Sequence, residues 1–495
     1  MFETSLKFAL HPSFVLPDLS GLNGVTEVEE LPVQESASTY FDTRDLRLAR
    51  SGAILRFTEP LSGDPPAWRL SLPEIEEGGP KDKLRFEGQR DEIPMEVREL
   101  TTAFARTEEV GEKSVLHTRR RRWVFRSVGD SDVAEIVDDE VSILEGQAVI
   151  ARYREMYVSS KKSHLRSFVD ALRSAGAAVT EPLPKYVRAL GPQATAAPDV
   201  LDPGAVKPSD PAHLAIEKAL SIGVARLLLN DPGARLEDPE AVHQMRVATR
   251  RLRSDLRTFA PLLHPGWSDA LGIELRWLAD ALGRVRDLNV FDERLAQTAP
   301  ELMGDLDPLL DEVRRRLAIA TNELRGVLNS RRYRKLLEEL VDAARHPQTT
   351  ENATEPCSAS LPRLISTRWK KLRKGALALN ELSSPDDWHR VRIEAKRTRY
   401  AAEAVAPSLG KKSNAADRFA TKVEQLQEML GQQQDALAAG RLTREIALQR
   451  EGKEAFHLAA GIVIAREEQA ASRATASFDR VWKAVDKNKL HSWFR

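Results

Sequence analysis

Hydrophobic and polar positions along this 495-residue chain follow two rhythms. In residues 1–190 the apolar positions come in short runs that alternate with polar ones. Residues 53–57, 68–72, 122–126 and 133–137 each read as a β-strand, because successive strand side chains point to opposite faces. Residues 61–66 and 127–131, rich in Gly, Pro, Asp and Ser, read as hairpin loops. A helix is expected at 163–175, with Gly176 as its stop. Residues 191–211 are rich in Pro, Ala, Asp and Gly and read as a linker. From residue 212 onward the spacing is helical, interrupted only at 346–360, a polar stretch with two prolines. That interruption divides the helical part into halves of similar length, about 212–345 and 361–490.

The halves share a pattern. His243-Gln-Met-Arg246-Val-Ala-Thr-Arg250-Arg251-Leu-Arg253 recurs about 146 residues later as His389-Arg-Val-Arg392-Ile-Glu-Ala-Lys396-Arg397-Thr-Arg399. On a helix, positions i, i+3, i+7 and i+10 fall within roughly 80° of one another. His243, Arg246, Arg250 and Arg253 therefore form one cationic stripe, which Arg257 extends; His389, Arg392, Lys396 and Arg399 form a second. Arg251 and Arg397 sit to one side of their stripes. Met245, Ala248, Leu252, Leu256 and Phe259 lie opposite the first stripe, and Val391, Thr398, Ala402 and Val405 opposite the second, so each helix has a core face and a basic face. Asp238-Pro239-Glu240 and Ser384-Pro385-Asp386 mark the two starts with a capping residue, a proline and an acid. A solvated charged face normally mixes signs. Like charges at these spacings repel, and a chain that accepts this twice in one register is expected to hold an anion. Each stripe is followed by a Leu-Gly and an Asp: Leu282-Gly283 with Asp287, and Leu430-Gly431 with Asp435. A helix end capped by glycine would account for Gly283 and Gly431, while Asp287 and Asp435 are expected to orient nearby arginines.

Bulk composition adds less. Charged residues make up 30% of the chain and the formal net charge is zero, so overall electrostatics do not announce a nucleic-acid binder. The balance is uneven: residues 1–190 carry about −6 and the rest about +6. Cys357 is the only cysteine, which rules out an intrachain disulfide and suits a reducing cytoplasm. The N-terminus does not read as a signal peptide, and no apolar run approaches roughly 18 residues. The expectation is a cytoplasmic protein without a membrane span.

The paired motifs resemble the CHAD family, the conserved histidine α-helical domain, over residues 212–490. The resemblance implies two related helical bundles about a pseudo-twofold axis, with basic helices that bind inorganic polyphosphate. It places His243, Arg246, Arg250, Arg253, His389, Arg392, Lys396 and Arg399 on that surface. Residues 1–190 resemble a CYTH domain, the fold of triphosphate tunnel enzymes. The carriers are Glu3-Thr-Ser5-Leu-Lys7, Tyr40-Phe-Asp-Thr43, Leu55-Arg56, Arg85-Phe-Glu87, Thr118-Arg-Arg120, Glu135-Ile-Val-Asp138 and Lys185-Tyr-Val-Arg188. The implied fold is α+β and multidomain: an antiparallel β-tunnel at 1–190, a linker at 191–211 and an all-α pair of bundles at 212–490.

In a tunnel enzyme, inward basic residues neutralise a triphosphate and carboxylates hold Mg²⁺ or Mn²⁺, hard cations that prefer oxygen. The resemblance assigns phosphate binding to Lys7, Arg56, Arg85, Arg120 and Lys185. It assigns metal binding to Glu3, Glu87, Glu135, Asp138 and Glu155, with Glu3, Lys7 and Glu135 as catalytic candidates. The chain departs from that pattern at several places. Ser5 replaces a glutamate, Ser71 a lysine and Thr58 an arginine, and Glu155-Met-Tyr157-Val-Ser159 keeps one acid of three. The leading expectation is therefore a polyphosphate-binding protein that needs no cofactor for binding, whose tunnel half is weak or inactive. It could associate with polyphosphate granules. Two alternatives stay open: a divalent-metal triphosphatase or polyphosphatase with a substrate-recruiting helical half, and a nucleic-acid or protein scaffold. Nucleic acid is disfavoured because only Trp388 and Tyr400 accompany the stripes, whereas single-strand sites add stacking aromatics. A metal between His243 and His389 is disfavoured by the crowding arginines. Oligomeric state is not legible.

Overall fold

The computed structural model describes residues 4–22, 24–60, 65–73, 83–127, 131–146, 148–180, 183–380, 382–449 and 454–494. They fall into two units, Met1–Asp199 and Val200–Arg495, which together make an α+β chain.

The first unit contains β1 (Thr4–Leu10), β2 (Glu27–Asp42), α1 (Arg47–Arg50), β3 (Ile54–Pro60), β4 (Ala67–Ser71), β5 (Lys83–Phe86), α2 (Met95–Ala105), β6 (Gly111–Ser127), β7 (Ser131–Glu145), β8 (Ala148–Ser160), α3 (Lys162–Ser174), β9 (Ala178–Val179) and α4 (Lys185–Leu190). The strands make one antiparallel sheet in the order β5-β4-β3-β2-β6-β7-β8-β1-β9. The strands expected from alternation fall on β3, β4, β6 and β7. The expected loops at 61–66 and 127–131 lie largely outside the described residues. Helix α3 ends before Gly176, whose φ of 97° is the left-handed geometry that glycine tolerates.

Alternation divides the sheet into two faces. One face is apolar and buried under helices. Phe8, Phe125, Ile136, Met156 and Val158 pack with Phe168 and Leu172 of α3, and Phe41, Leu55, Phe57, Trp68 and Leu70 pack with Val97, Leu100 and Phe104 of α2. The other face is polar. Residues from β4 at one side and β8 at the other line a single cavity of about 1010 Å³, so the sheet curls around it. Register shifts at Leu31/Gln34 and Tyr40/Phe41 in the β2–β6 pair are bulges of the kind that let a long hairpin bend. The Tyr40-Phe-Asp-Thr43 motif has a structural role at Asp42. Its buried carboxylate accepts the backbone N–H groups of Thr43 (2.7 Å), Leu48 (2.9 Å) and Ala49 (2.9 Å) and thereby fixes α1. The first part of the expected linker is tied down: Asp199 takes Arg50 at 2.6 Å and also pairs with Arg106.

The second unit is helical: α5 (Ala212–Arg235), α6 (Pro239–Thr258), α7 (Pro265–Thr298), α8 (Asp307–Asn329), α9 (Arg331–Arg345), α10 (Cys357–Leu377), α11 (Pro385–Val405), α12 (Ser413–Gln449), α13 (Glu454–Ala476), α14 (Phe478–Val485) and α15 (Asn488–His491). Helices α5 to α9 and α10 to α14 repeat one order, and neighbours pack alike: α5 on α6 and α6 on α7, then α10 on α11 and α11 on α12. The halves meet where α6 packs on α11. They meet again where Phe291, Leu295, Leu309 and Val313 join Ile446, Phe456 and Val463 in one core. No helix among the described residues is long and apolar enough to cross a membrane.

Candidate functional site

Each unit has a cationic cavity among its described residues. In the sheet unit the cavity wall carries Arg56, Arg69, Arg120 and Lys185, with Tyr40, Thr118, Tyr157 and Glu35 among the polar neighbours. Position in the alternation decides which acids can take part. Opposite partners in the β6–β7–β8 ladder are Arg120, Asp139 and Glu155, so these three share the inward face. Asp138 does not share it. Its buried carboxylate points the other way and takes Arg154 at 2.6 Å, which corrects the assignment of Asp138 as a tunnel metal ligand.

The inward acids are already matched. Asp139 receives Arg120 in a two-bonded fork (2.7 and 2.8 Å) and Lys185 at 2.5 Å. Burial pushes its carboxyl up, but Arg120 and Lys185 outweigh burial and hold it below the usual aspartate value. Glu155 pairs with Lys7 at 2.6 Å and accepts the Tyr157 hydroxyl at 2.9 Å. Glu135 pairs with Arg122 at 2.6 Å. Ser5 and Ser159, which replace two acids of the family pattern, meet across β1 and β8 at 3.2 Å. Glu87 is exposed beyond β5, and Glu3 lies outside the described residues. Among those residues no group of three or more His, Cys, Asp or Glu is placed to hold a metal. The side chains present do not fit a divalent ion, because each inward carboxylate is neutralised by lysine or arginine. Of the expected phosphate ligands, Arg56, Arg120 and Lys185 line the cavity. Lys7 is buried against Glu155 and the Leu183 carbonyl, and Arg85 is exposed on edge strand β5 and donates to the Pro65 carbonyl.

In the helical unit, α6 and α11 are set by their caps. Asp238 accepts the Glu240 N–H at 3.0 Å, and Ser384 and Asp387 form a reciprocal capping box. The core faces are buried as the periodicity requires, from Met245 through Leu256 and from Val391 through Val405. The stripes then meet where α6 and α11 pack. Arg250, Arg392 and Lys396 line a cavity of about 400 Å³ with Gln427, Glu428, Gly431, Gln432 and Asp435 of α12. Arg246 stands beside them, since its charge bears on both Arg392 and Lys396. Arg246 donates to Asp287 (2.8 Å) and to the Gly283 carbonyl (2.8 Å). Arg250 donates to the Tyr400 hydroxyl at 3.0 Å, and Arg392 lies 3.7 Å from Asp435. Lys396 is half-buried among these arginines. Burial, then Arg250, Arg392 and Arg246, push its ammonium down to about 7. His243 is held below its usual value by burial and by Arg286, Arg250 and Arg246. The Nδ1 of His389 and the Nε atoms of Arg250 and Arg392 are buried with no hydrogen-bond partner among the described residues.

The same region matches a known family: the CHAD domain family covers residues 218–444. Residues 218–444 form a CHAD domain. Over nearly its whole length the chain is similar to the uncharacterised protein Rv2226 of Mycobacterium tuberculosis, at 29% identity across 98% of this chain and 96% of that protein. Two solved structures are similar in part. The CHAD domain from the plant Ricinus communis is 28% identical, covering 58% of this chain and 94% of its own, with a TM-score of 0.45. PptA from Streptomyces chartreusis is 20% identical, covering 55% and 99%, with a TM-score of 0.48. The antiparallel sheet and its polar cavity fit a CYTH-like tunnel.

Within the CHAD domain the eight stripe residues do not act as one set. Arg246, Arg250, Arg392 and Lys396 converge, with His243 next to them. Arg399 is taken by Glu403 (2.6 Å) and Glu424 (2.7 Å), and Arg253 faces Arg276 and Arg397 instead. Gly283 and Gly431 are not helix ends, for both lie inside long helices. A Cβ on Gly283 would stand 3.4 Å from the Arg246 guanidinium, so the glycine leaves the arginine room to reach a helix carbonyl. Arg69 and Asp139 were not anticipated. Strict alternation from Arg56 across to β4, and from Glu135 along β7, is the signal that finds them.

Proposed function

We propose that the protein binds inorganic polyphosphate through the CHAD cavity lined by Arg250, Arg392 and Lys396, with Arg246 beside it. The observation that carries this reading is the convergence of two half-buried cationic stripes onto one small cavity. Its nearest acids, Asp287, Glu428 and the half-exposed Asp435, all reach solvent. Solvent screens exposed carboxylates, so they leave the field of the arginines largely uncompensated. Guanidinium groups pair phosphate oxygens in a planar fork, and a polymer of phosphates without bases suits a row of them. Base-stacking platforms do not accompany the row. Trp388 packs edge-on against Phe478, and Tyr400 is buried against Arg250. That favours polyphosphate over single-stranded nucleic acid.

The CYTH-like half, with Arg56 and Arg69 on its cavity wall, fits an anion-holding cavity better than a metal-dependent hydrolase. Binding in the CHAD half requires no cofactor. The test is the affinity of the full chain for polyphosphate before and after Arg246→Ala, Arg250→Ala, Arg392→Ala and Lys396→Ala are combined. Charge-assisted hydrogen bonds contribute about 1.5–3 kcal/mol each, so a loss of at least about 100-fold with unchanged helix content is expected. Retained affinity in a folded variant would sink the assignment.

A further inference from the structure

The internal repeat is not electrostatically symmetrical. Arg257 of α6 and Glu403 of α11 occupy equivalent positions, as do Arg276 of α7 and Glu424 of α12. The equivalences are those that relate His243 to His389 and Gly283 to Gly431. On the second-repeat flank the acids neutralise their surroundings. Arg399 binds Glu403 and Glu424, and Arg251 also reaches Glu403.

On the first-repeat flank the same positions gather cations. Arg253 faces Arg276 and Arg397, and Arg257 faces Arg253, Arg397, Arg276 and Arg368. Arg368 of α10 donates to the Arg257 carbonyl at 2.6 Å, which fixes a fifth guanidinium at the end of α6. The counter-charges are few: Glu394, which pairs with Arg397, and the exposed Asp280. The Nε atoms of Arg253 and Arg397 are buried with no hydrogen-bond partner among the described residues. Burial first, and then neighbouring arginines, hold Arg253 and Arg257 below the usual arginine value. This flank is continuous with the central cavity. Arg276, Asp280, Gly283 and Asp287 run along one face of α7, and Arg246 is anchored at the Gly283–Asp287 end. Eleven residues of helix separate Arg276 from Asp287, about 16 Å.

We infer that Arg253, Arg257, Arg276, Arg368 and Arg397 form a second phosphate-holding station, so that a polyphosphate chain leaves the central cavity along the first repeat only. Glu403 and Glu424 close the equivalent path along the second repeat. This rests on the CHAD cavity being the polyphosphate site. A triphosphate is too short to bridge both stations, whereas a chain of roughly ten phosphates or more gains a second contact at high effective concentration.

The test compares triphosphate and long-chain polyphosphate binding to the full-length wild type and to Arg257→Glu/Arg276→Glu, which installs the acids of the other flank. Long-chain affinity is expected to fall at least tenfold and its salt dependence to become shallower, while triphosphate affinity stays within twofold. An Arg257→Gln/Arg276→Gln pair repeats the test with less risk to folding, with a threefold or greater long-chain loss expected. Unchanged long-chain affinity in either folded pair, or equal losses for both ligands, overturns the second station alone. Failure of the wild type to bind polyphosphate at all overturns the central assignment with it.

Discussion

The sheet cavity and the CHAD cavity are both lined with arginine and lysine, yet they handle charge in opposite ways. In the sheet unit the inward acids of β7 and β8 are paired: Asp139 and Glu155, both buried, with Arg120 and Lys185 and with Lys7, and the partly buried Glu135 with Arg122. In the CHAD unit the acids nearest the central cations are half-exposed or more, and several buried groups have no opposite partner. Lys396 is pushed down to about 7 among arginines. Asp255, fully buried on α6 with neither carboxylate oxygen hydrogen-bonded among the described residues, is pushed up to about 8, chiefly by burial. The lesson is that the number of basic residues does not rank two cationic cavities. What matters is how many of them the fold has already neutralised.

The contrast can be broken or sharpened by changes on either side. The largest expected effect is in the sheet. Asp139→Asn leaves Arg120 and Lys185 without their buried partner and should destabilise that unit by about 3–5 kcal/mol, read as faster amide exchange across β6, β7 and β8. The matching change in the CHAD cavity, Asp435→Asn, touches a half-exposed acid and should shift stability by less than about 0.5 kcal/mol. Equal costs would erase the distinction between the halves.

Next comes Asp255. Its folded value lies above its unfolded value, so its contribution to stability falls as pH rises from about 4 to about 8. Asp255→Asn should therefore stabilise the CHAD unit by roughly 3–4 kcal/mol more at pH 8 than at pH 5. A gain that does not depend on pH would refute the assignment of an unpartnered acid.

The last effect is on affinity rather than stability and concerns Lys396. Its folded value is depressed, so charging it costs stability as pH falls from about 10.5 toward about 7. A bound polyanion offsets that cost and takes up protons. Affinity should be flat below pH 7 as far as Lys396 is concerned, and should weaken by up to about tenfold per pH unit above it. Lys396→Arg should remove this slope in titrations at constant salt, while His243, held below its usual value, adds affinity only at lower pH.

Much of the architecture was legible because it is periodic. The period-two runs at 53–57 and 133–137 and the capped stripes starting at Asp238 and Ser384 specify elements locally, and the repeat shows that α6 and α11 are related. Sequence could not show which cations are already neutralised, because that depends on partners far along the chain: Lys185 with Asp139, Arg399 with Glu424. The assignment of Asp138 failed by one residue, since a strand turns neighbouring side chains to opposite faces and the family motif spans both. Gly283 and Gly431 looked like helix ends because glycine usually serves there. Inside α7, Gly283 instead admits a guanidinium from another helix, a tertiary reason with no local trace.

The central claim is that polyphosphate occupies the CHAD cavity rather than the tunnel. Arginine-selective chemical labelling of the intact chain, with and without polyphosphate and read residue by residue by mass spectrometry, tests it most directly. The expected result is protection of Arg246, Arg250 and Arg392, with Arg56, Arg69 and Arg120 labelled at unchanged rates. Protection confined to Arg56, Arg69 and Arg120 would contradict it.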